Sequence, residues 1–308
     1  MQVSLVTSLT LSSVAPLRAQ QHFEEGFKIV NGTKLYYKII GEGIPLVVVH
    51  GGPAMDHSYL LPQMARLGEG YKLIFYDQRA MGKSSQQVDS TSMTMDTFVE
   101  DLEGIRKAFN LGKMNLMGHS WGGLVSMWYA VKYPDHLQTL ILANTTPASS
   151  ALRDMSFAIM AHRTSKEDSV AQAAIVQTDA FKNREPKTME RFLRLLFRGS
   201  FYDKRYVDSL TLAFDSTYPA KSAMQRYLFK DKSLRSYDLQ EALDTIQCPT
   251  LVIAGSYDRV APGTNEMIQE HIRGSKYILL PDCGHFPFVE APDEFFPIIR
   301  EFLQGNAR

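Results

Sequence analysis

The chain lacks most of the features that mark specialised classes of protein. It has no surplus of charge: its 308 residues carry 33 Lys plus Arg against 33 Asp plus Glu. A nucleic-acid or anionic-membrane partner would call for a basic face, so neither is expected. Although 44% of the residues are hydrophobic, no stretch approaches the ~18 uninterrupted apolar residues of a membrane-spanning helix. Neither a clustered His/Cys ligand set nor a dinucleotide-binding glycine fingerprint occurs, so no metal and no organic cofactor is expected. Internal repeats and low-complexity tracts are absent as well. Cysteine is scarce, with only Cys248 and Cys283.

What is present is a pattern of strands. Residues 1–20 stand apart, rich in Ser, Thr, Leu and Val with a single charge at Arg18. That composition is similar to a secretory signal, but no basic residue precedes the apolar part, so an exported protein and a cytoplasmic one with a disordered tail both stay open. Phe27–Val30 and Leu35–Ile40 flank Asn31-Gly32 and read as a β-hairpin. Pro45–Val49, Lys72–Tyr76, the run up to Gly118 and Leu137–Ala143 then alternate with helical spacing such as Phe98, Leu102, Ile105 and Phe109. Continuous apolar runs of this kind mark strands buried on both faces, and the alternation predicts a doubly wound, mostly parallel α/β sheet.

From about Thr146 to Asp238 helical spacing continues without strands. This segment reads as a helical cap (146–238) inserted into a core made of 21–145 and 239–308. It holds 16 Lys plus Arg against 11 Asp plus Glu, a surplus read as a solvated face rather than as a sign of an anionic substrate. Its many aromatics should form mostly its own small core. The sheet pattern resumes at Cys248–Gly255 and ends with Lys276–Leu280. Cys248 opens one strand and Cys283 follows the end of its expected neighbour, roughly 20 Å away at ~3.3 Å per residue. A disulfide needs Cα atoms within about 7 Å, so both thiols should be free.

The chemistry is expected at Gly118-His119-Ser120-Trp121-Gly122, a G-x-S-x-G sequence where a strand run meets a helix. A sharp strand-to-helix turn lifts a serine clear of the backbone, and small residues two places either side let strand and helix approach. The helix starting near Trp121 aims its unpaired N–H groups at the serine. His50-Gly51-Gly52-Pro53, after the third strand, is where a second oxyanion donor is expected, so the N–H groups of Gly52 and Trp121 are the candidate pair. His50 is read as fixing that loop, and Asp77 and Arg79 as bracing the next. Asp258 and His285 follow later strands and complete the chain order Ser120, Asp258, His285 of a triad. Asp282 and Asp293 are weaker candidates for the acid.

From about Phe27 to Leu303 the chain resembles the α/β-hydrolase fold superfamily. Within it, His50-Gly51-Gly52-Pro53, Asp77-Gln78-Arg79, Trp121 and Cys283-Gly284-His285 make it most similar to the proline iminopeptidase group, although Ala54 and Ala80 stand where members usually carry glycine. The resemblance implies a hydrolase that removes an N-terminal proline or other small residue from short peptides or amides, with acidic cap residues holding the free amine. Glu167, Glu185 and Glu190 are open counterparts for that role. The alternatives are an ester or lactone hydrolase with the same triad, and a non-catalytic ligand-binding protein on this fold. Oligomeric state is not legible.

Overall fold

The run Leu46-Val47-Val48-Val49 is buried on both sides, and that fact organises the molecule. The computed structural model describes residues 23–307; the expected signal-like segment 1–20 falls outside them. Among the described residues eight strands form one sheet in the order β1-β2-β4-β3-β5-β6-β7-β8. They are β1 (Phe23–Val30), β2 (Thr33–Ile40), β3 (Ile44–Val49), β4 (Tyr71–Tyr76), β5 (Met114–His119), β6 (Leu137–Ala143), β7 (Thr250–Gly255) and β8 (Lys276–Leu280). β1 and β2 are the expected hairpin, turning where Asn31 and Gly32 both take positive φ. β3 to β8 pair in parallel.

Successive side chains of a strand point to opposite faces, and here both faces are packed. Val47, Val49, Ile74, Leu116 and Val252 join one apolar cluster, while Leu46, Val48, Phe75, Met117 and Ile253 join another. The first face is covered by α1 (Met95–Ala108) and α2 (Trp121–Lys132), through Phe98, Leu102, Leu124 and Val125. Between β6 and β7 the chain forms α3 (Ser150–Arg163), α4 (Lys166–Val176), α5 (Asp179–Lys182), α6 (Pro186–Arg198), α7 (Tyr218–Leu228) and α8 (Lys232–Arg235). α9 (Thr264–His271) follows β7 and packs on the first face through Ile268. After β8 come α10 (Pro287–Glu290) and α11 (Pro292–Gly305), whose Phe295, Phe296 and Ile299 seal the second face.

The α3–α8 excursion leaves and rejoins the core at one place. Ser149 bridges Asp238, Ser150 N–H donates to Tyr237 O at 2.8 Å, and Leu239 N–H donates to Ala148 O at 2.9 Å. Its aromatics divide between its own packing, such as Phe181 on Phe192, and contacts with the core, such as Phe197 and Phe201 on Phe286.

Two expectations about charged residues and cysteines resolve simply. Cys248 and Cys283 are free and buried. Asp77 and Arg79 brace their loop through other partners than each other. Arg79 makes a bidentate, buried pair with Asp101 of α1, at 2.8 and 2.7 Å. Asp77 accepts from His57 Nδ1 at 2.7 Å and from Lys83 N–H at 2.7 Å.

The sheet order reverses at β3. The chain moves from β3 outward to β4, then crosses back to β5 on the other side, so a crevice opens where β3 and β5 end. Breaking a buried ion pair by removing one partner leaves the other charge stranded. Arg79→Ala is therefore expected to lower unfolding free energy by about 3–5 kcal/mol, checked by urea denaturation beside Arg205→Ala, which breaks an exposed pair with Asp203 and should leave the midpoint almost unchanged.

Candidate active site

At the end of β5 the backbone of Ser120 takes φ +56° and ψ −122°, a region that costs on the order of 1–3 kcal/mol for a residue with a side chain. Surrounding hydrogen bonds hold it there. Ser120 N–H donates to Ala143 O at 3.1 Å, and Ser120 O accepts from Gly123 N–H at 2.9 Å and Thr146 N–H at 3.0 Å. The turn also requires glycine at Gly122, where a Cβ would sit 2.1 Å from Val49 O.

The other candidate residues arrive from the same sheet edge. His285, after β8, lies with Nε2 3.0 Å from Ser120 Oγ and Nδ1 2.7 Å from Asp258 Oδ1. Asp258, after β7, is anchored on its far side by Asn144 Nδ2, which donates to Oδ2 at 2.7 Å, and by Arg259 N–H, which donates to Oδ1 at 2.6 Å. Burial works to raise the Asp258 carboxyl, but the His285, Arg259 and Asn144 partners outweigh it and hold it at about 2. A carboxylate that stays ionised fixes Nδ1 of His285 as the protonated nitrogen and leaves Nε2 facing the serine. Burial, and next the Arg259 charge, lower the His285 pKa below its ordinary value, so the ring is neutral at pH 7. Asp282 and Asp293 are exposed, the latter 3.6 Å from Arg66, and neither meets His285.

Behind these groups lies a buried polar relay absent from the sequence reading. Gly51 N–H donates to the Tyr59 hydroxyl at 2.6 Å, Tyr59 donates to His119 Nδ1 at 2.6 Å, and His119 Nε2 donates to His285 O at 2.8 Å. Burial, and next the nearby His285, bring His119 down to about 3, so it serves as a neutral bridge. His50 does the same on the loop that carries Gly52. Its Nδ1 donates to Gly51 O at 2.6 Å and its Nε2 accepts from Gln78 N–H at 3.1 Å, with burial lowering its pKa to about 4. Gln78 in turn donates to His50 O at 2.7 Å and accepts from Trp121 Nε1 at 2.9 Å. The loop bearing Gly52 and the helix start bearing Trp121 are thus tied through one glutamine. Glu290 fastens the His285 loop to the helical excursion, accepting from Gly284 N–H at 2.8 Å and from Tyr202 N–H at 2.8 Å.

Ser120, His285, Gly52 and Trp121 open onto a cavity of about 320 Å³ walled by Leu124, Pro147, Phe157, Phe229 and Val260. Among the described residues no aspartate or glutamate lines it. Glu190 instead pairs with Arg194, at 2.9 Å, and neither Glu167 nor Glu185 reaches the cavity. Asp56, His57 and Asp77 bring ligand-type atoms within 4.8 Å of one another elsewhere. Those atoms are engaged in local hydrogen bonds, His57 with Asp77 and Asp56 with Ser58.

The alpha/beta hydrolase fold family model matches residues 44–292. The chain belongs to the α/β-hydrolase fold family. Within this family it is similar to proline iminopeptidases. That of Lactobacillus helveticus (strain DPC 4571) is 30% identical, with 92% of this chain and 98% of the relative covered. That of Saccharolobus solfataricus is 28% identical, with 91% and 92% covered. In three dimensions the chain is similar to the proline iminopeptidase of Mycobacterium smegmatis, with a TM-score of 0.68 at 21% identity, covering 92% of this chain and 98% of that one. The chain is a hydrolase.

Removing the Tyr59 hydroxyl leaves Gly51 N–H and His119 Nδ1 buried without their partner. Tyr59→Phe is expected to cost about 1–3 kcal/mol of stability in thermal denaturation, and to lower kcat more than it raises KM, because the loop bearing Gly52 and the His285 backbone lose their common support.

Proposed function

We propose that this hydrolase works through an acyl-enzyme formed on Ser120. The observation that carries the reading is the unbroken set of contacts from Ser120 Oγ to His285 Nε2, and from His285 Nδ1 to Asp258 Oδ1, at 3.0 and 2.7 Å, beside a cavity sized for a small substrate. Ser120 Oγ attacks the carbonyl carbon while its proton passes to His285 Nε2. The oxyanion takes hydrogen bonds from the N–H groups of Gly52 and Trp121. Collapse of the tetrahedral adduct expels the amine or alcohol, which leaves with the proton from His285. A water then gives its proton to His285 and attacks the acyl ester; as the bond to Oγ breaks, His285 returns the proton to Ser120 and the acid is released. Asp258 keeps the ring in the required tautomer and stabilises the imidazolium.

For the substrate, the similarity to proline iminopeptidases supports cleavage of an N-terminal residue from short peptides or amides. A second reading, an ester or lactone, is favoured by one observation: among the described residues no carboxylate lines the cavity to receive a free amine. In both, residues 146–238 act as a cap that admits small substrates beneath α3, α7 and α8. A ligand-binding role without turnover would leave the Ser120, His285 and Asp258 contacts without a use.

Release from L-proline p-nitroanilide and from p-nitrophenyl acetate separates the substrates. Both activities, where present, are expected to fall on the order of 10⁶-fold in kcat in Ser120→Ala and about 10⁴-fold in Asp258→Asn. Turnover of the anilide selects the peptidase, turnover of the ester alone selects the esterase, and full activity in Ser120→Ala overturns the mechanism. The acid limb reports His285, which must be neutral to take the proton. Since its pKa is lowered by burial and by Arg259, kcat/KM should persist below the ordinary histidine value of about 6.5. Arg259→Gln should raise that pKa and move the limb to higher pH.

A further inference from the structure

The charged residues that line the cavity beside Ser120 are Arg153, Arg235 and Arg259, with no acidic side chain among the described residues to balance them. The three are not equivalent. Arg153 is already engaged, donating through Nη1 to Leu234 O at 2.7 Å and through Nε and Nη2 to Asp154 Oδ1 at 2.9 and 2.8 Å. Arg235 is exposed and its side chain makes no ion pair among the described residues. Arg259 reaches furthest toward the chemistry. Its Nη1 meets Met160 Sδ at 3.0 Å and its Nη2 lies 3.2 Å from His285 Nε2. Asp258 is its nearest acid, but that carboxylate is spent on His285, Asn144 and the backbone N–H of Arg259.

A guanidinium cannot give up its proton to escape burial, as a lysine can. Placed against apolar walls with a thioether and an imidazole as its hydrogen-bond partners, it makes no ion pair of its own among the described residues and only shares the field of Asp258. Its position also interferes with the base. The lone pair on His285 Nε2 has to accept the Ser120 proton, and the Arg259 N–H competes for it. An anionic group in the cavity would draw the guanidinium onto itself in a fork-like pair and free Nε2 for the serine.

We propose that the substrate of this site carries a carboxylate close to its scissile carbonyl, held by Arg259 with help from the exposed Arg235. The proposal rests on the serine-hydrolase reading above and narrows its substrate class. The carboxylate has two sources that fit: the C-terminus of a dipeptide, on the leaving-group side, or the free acid of a half-ester, on the acyl side.

The test compares matched pairs at pH 8: L-prolyl-L-alanine against L-prolyl-L-alanine amide, and monoethyl glutarate against diethyl glutarate. In one pair the acid is expected to exceed its neutral partner at least tenfold in kcat/KM, and that pair identifies the source. Arg259→Gln should bring the ratio close to one, mainly by raising KM for the acid, and Arg259→Lys should restore part of it. Arg235→Gln, at an exposed side chain that folding does not need, should raise KM for the acid three- to fivefold. Equal or faster turnover of the neutral member in both pairs, or a ratio untouched by the Arg259 variants, overturns the proposal. Calorimetric binding of monoethyl glutarate and L-prolyl-L-alanine to Ser120→Ala gives a readout independent of turnover. Binding of either that is lost on adding Arg259→Gln supports the carboxylate site even where the hydrolase reading fails, and no binding of either ligand overturns it.

Discussion

The site depends on how closely β3, β5 and α2 approach one another at the turn that carries Ser120. At Gly122 the backbone of α2 lies against the carbonyl of Val49, so close that a single added carbon would overlap it. That approach places the start of α2, the end of β3 and the serine within one small volume. It also explains why a residue at φ +56° persists: three backbone hydrogen bonds from β6, α2 and the following loop hold it, and the packed strands beneath cannot relax. The strain is local and the sheet sustains it.

Around that turn the protein uses buried polar side chains as spacers. Tyr59 and His119 connect the Gly51 backbone to the His285 backbone, and Gln78 connects the His50 loop to the Trp121 indole. Each group has its partners, which is the condition under which a buried network rigidifies a site rather than weakening it. Neutral histidines suit this role because each offers one donor and one acceptor at a fixed separation. The charged members, Asp258 and Arg259, are concentrated beside His285 and Ser120. They oppose each other in their effect on His285, the carboxylate favouring the imidazolium and the guanidinium disfavouring it.

Much of this was legible from residue order. The burial of β3 to β7 on both faces follows from continuous apolar runs, and Ser120, Asp258 and His285 each stand just past such a run. In a parallel sheet the ends of those runs share one edge, so their convergence follows from topology. Asn144 carried a usable signal too, since it follows β6 directly and takes positive φ as asparagine readily does. Tyr59, His119 and Glu290 carried none, since no local pattern marks them. Their roles come from contacts spanning up to 166 residues of chain. The pairing of Asp77 with His57 and of Arg79 with Asp101 was hidden for the same reason, as neighbours in sequence point to opposite sides of the loop.

The sequence by itself determined the sheet, the turn at Ser120 and the order of the three candidate groups, because strand periodicity, glycine placement and chain order are local or one-dimensional properties. Tertiary structure alone decided the polarity of the cavity. A surplus of basic residues between Thr146 and Asp238 reads as solvated surface, and most of it is. Only folding brings Arg153 of α3 and Arg235 of α8 beside Arg259 of the core while leaving Glu190 outside, since which face of a helix meets the site depends on packing against other elements and not on the helix's own sequence.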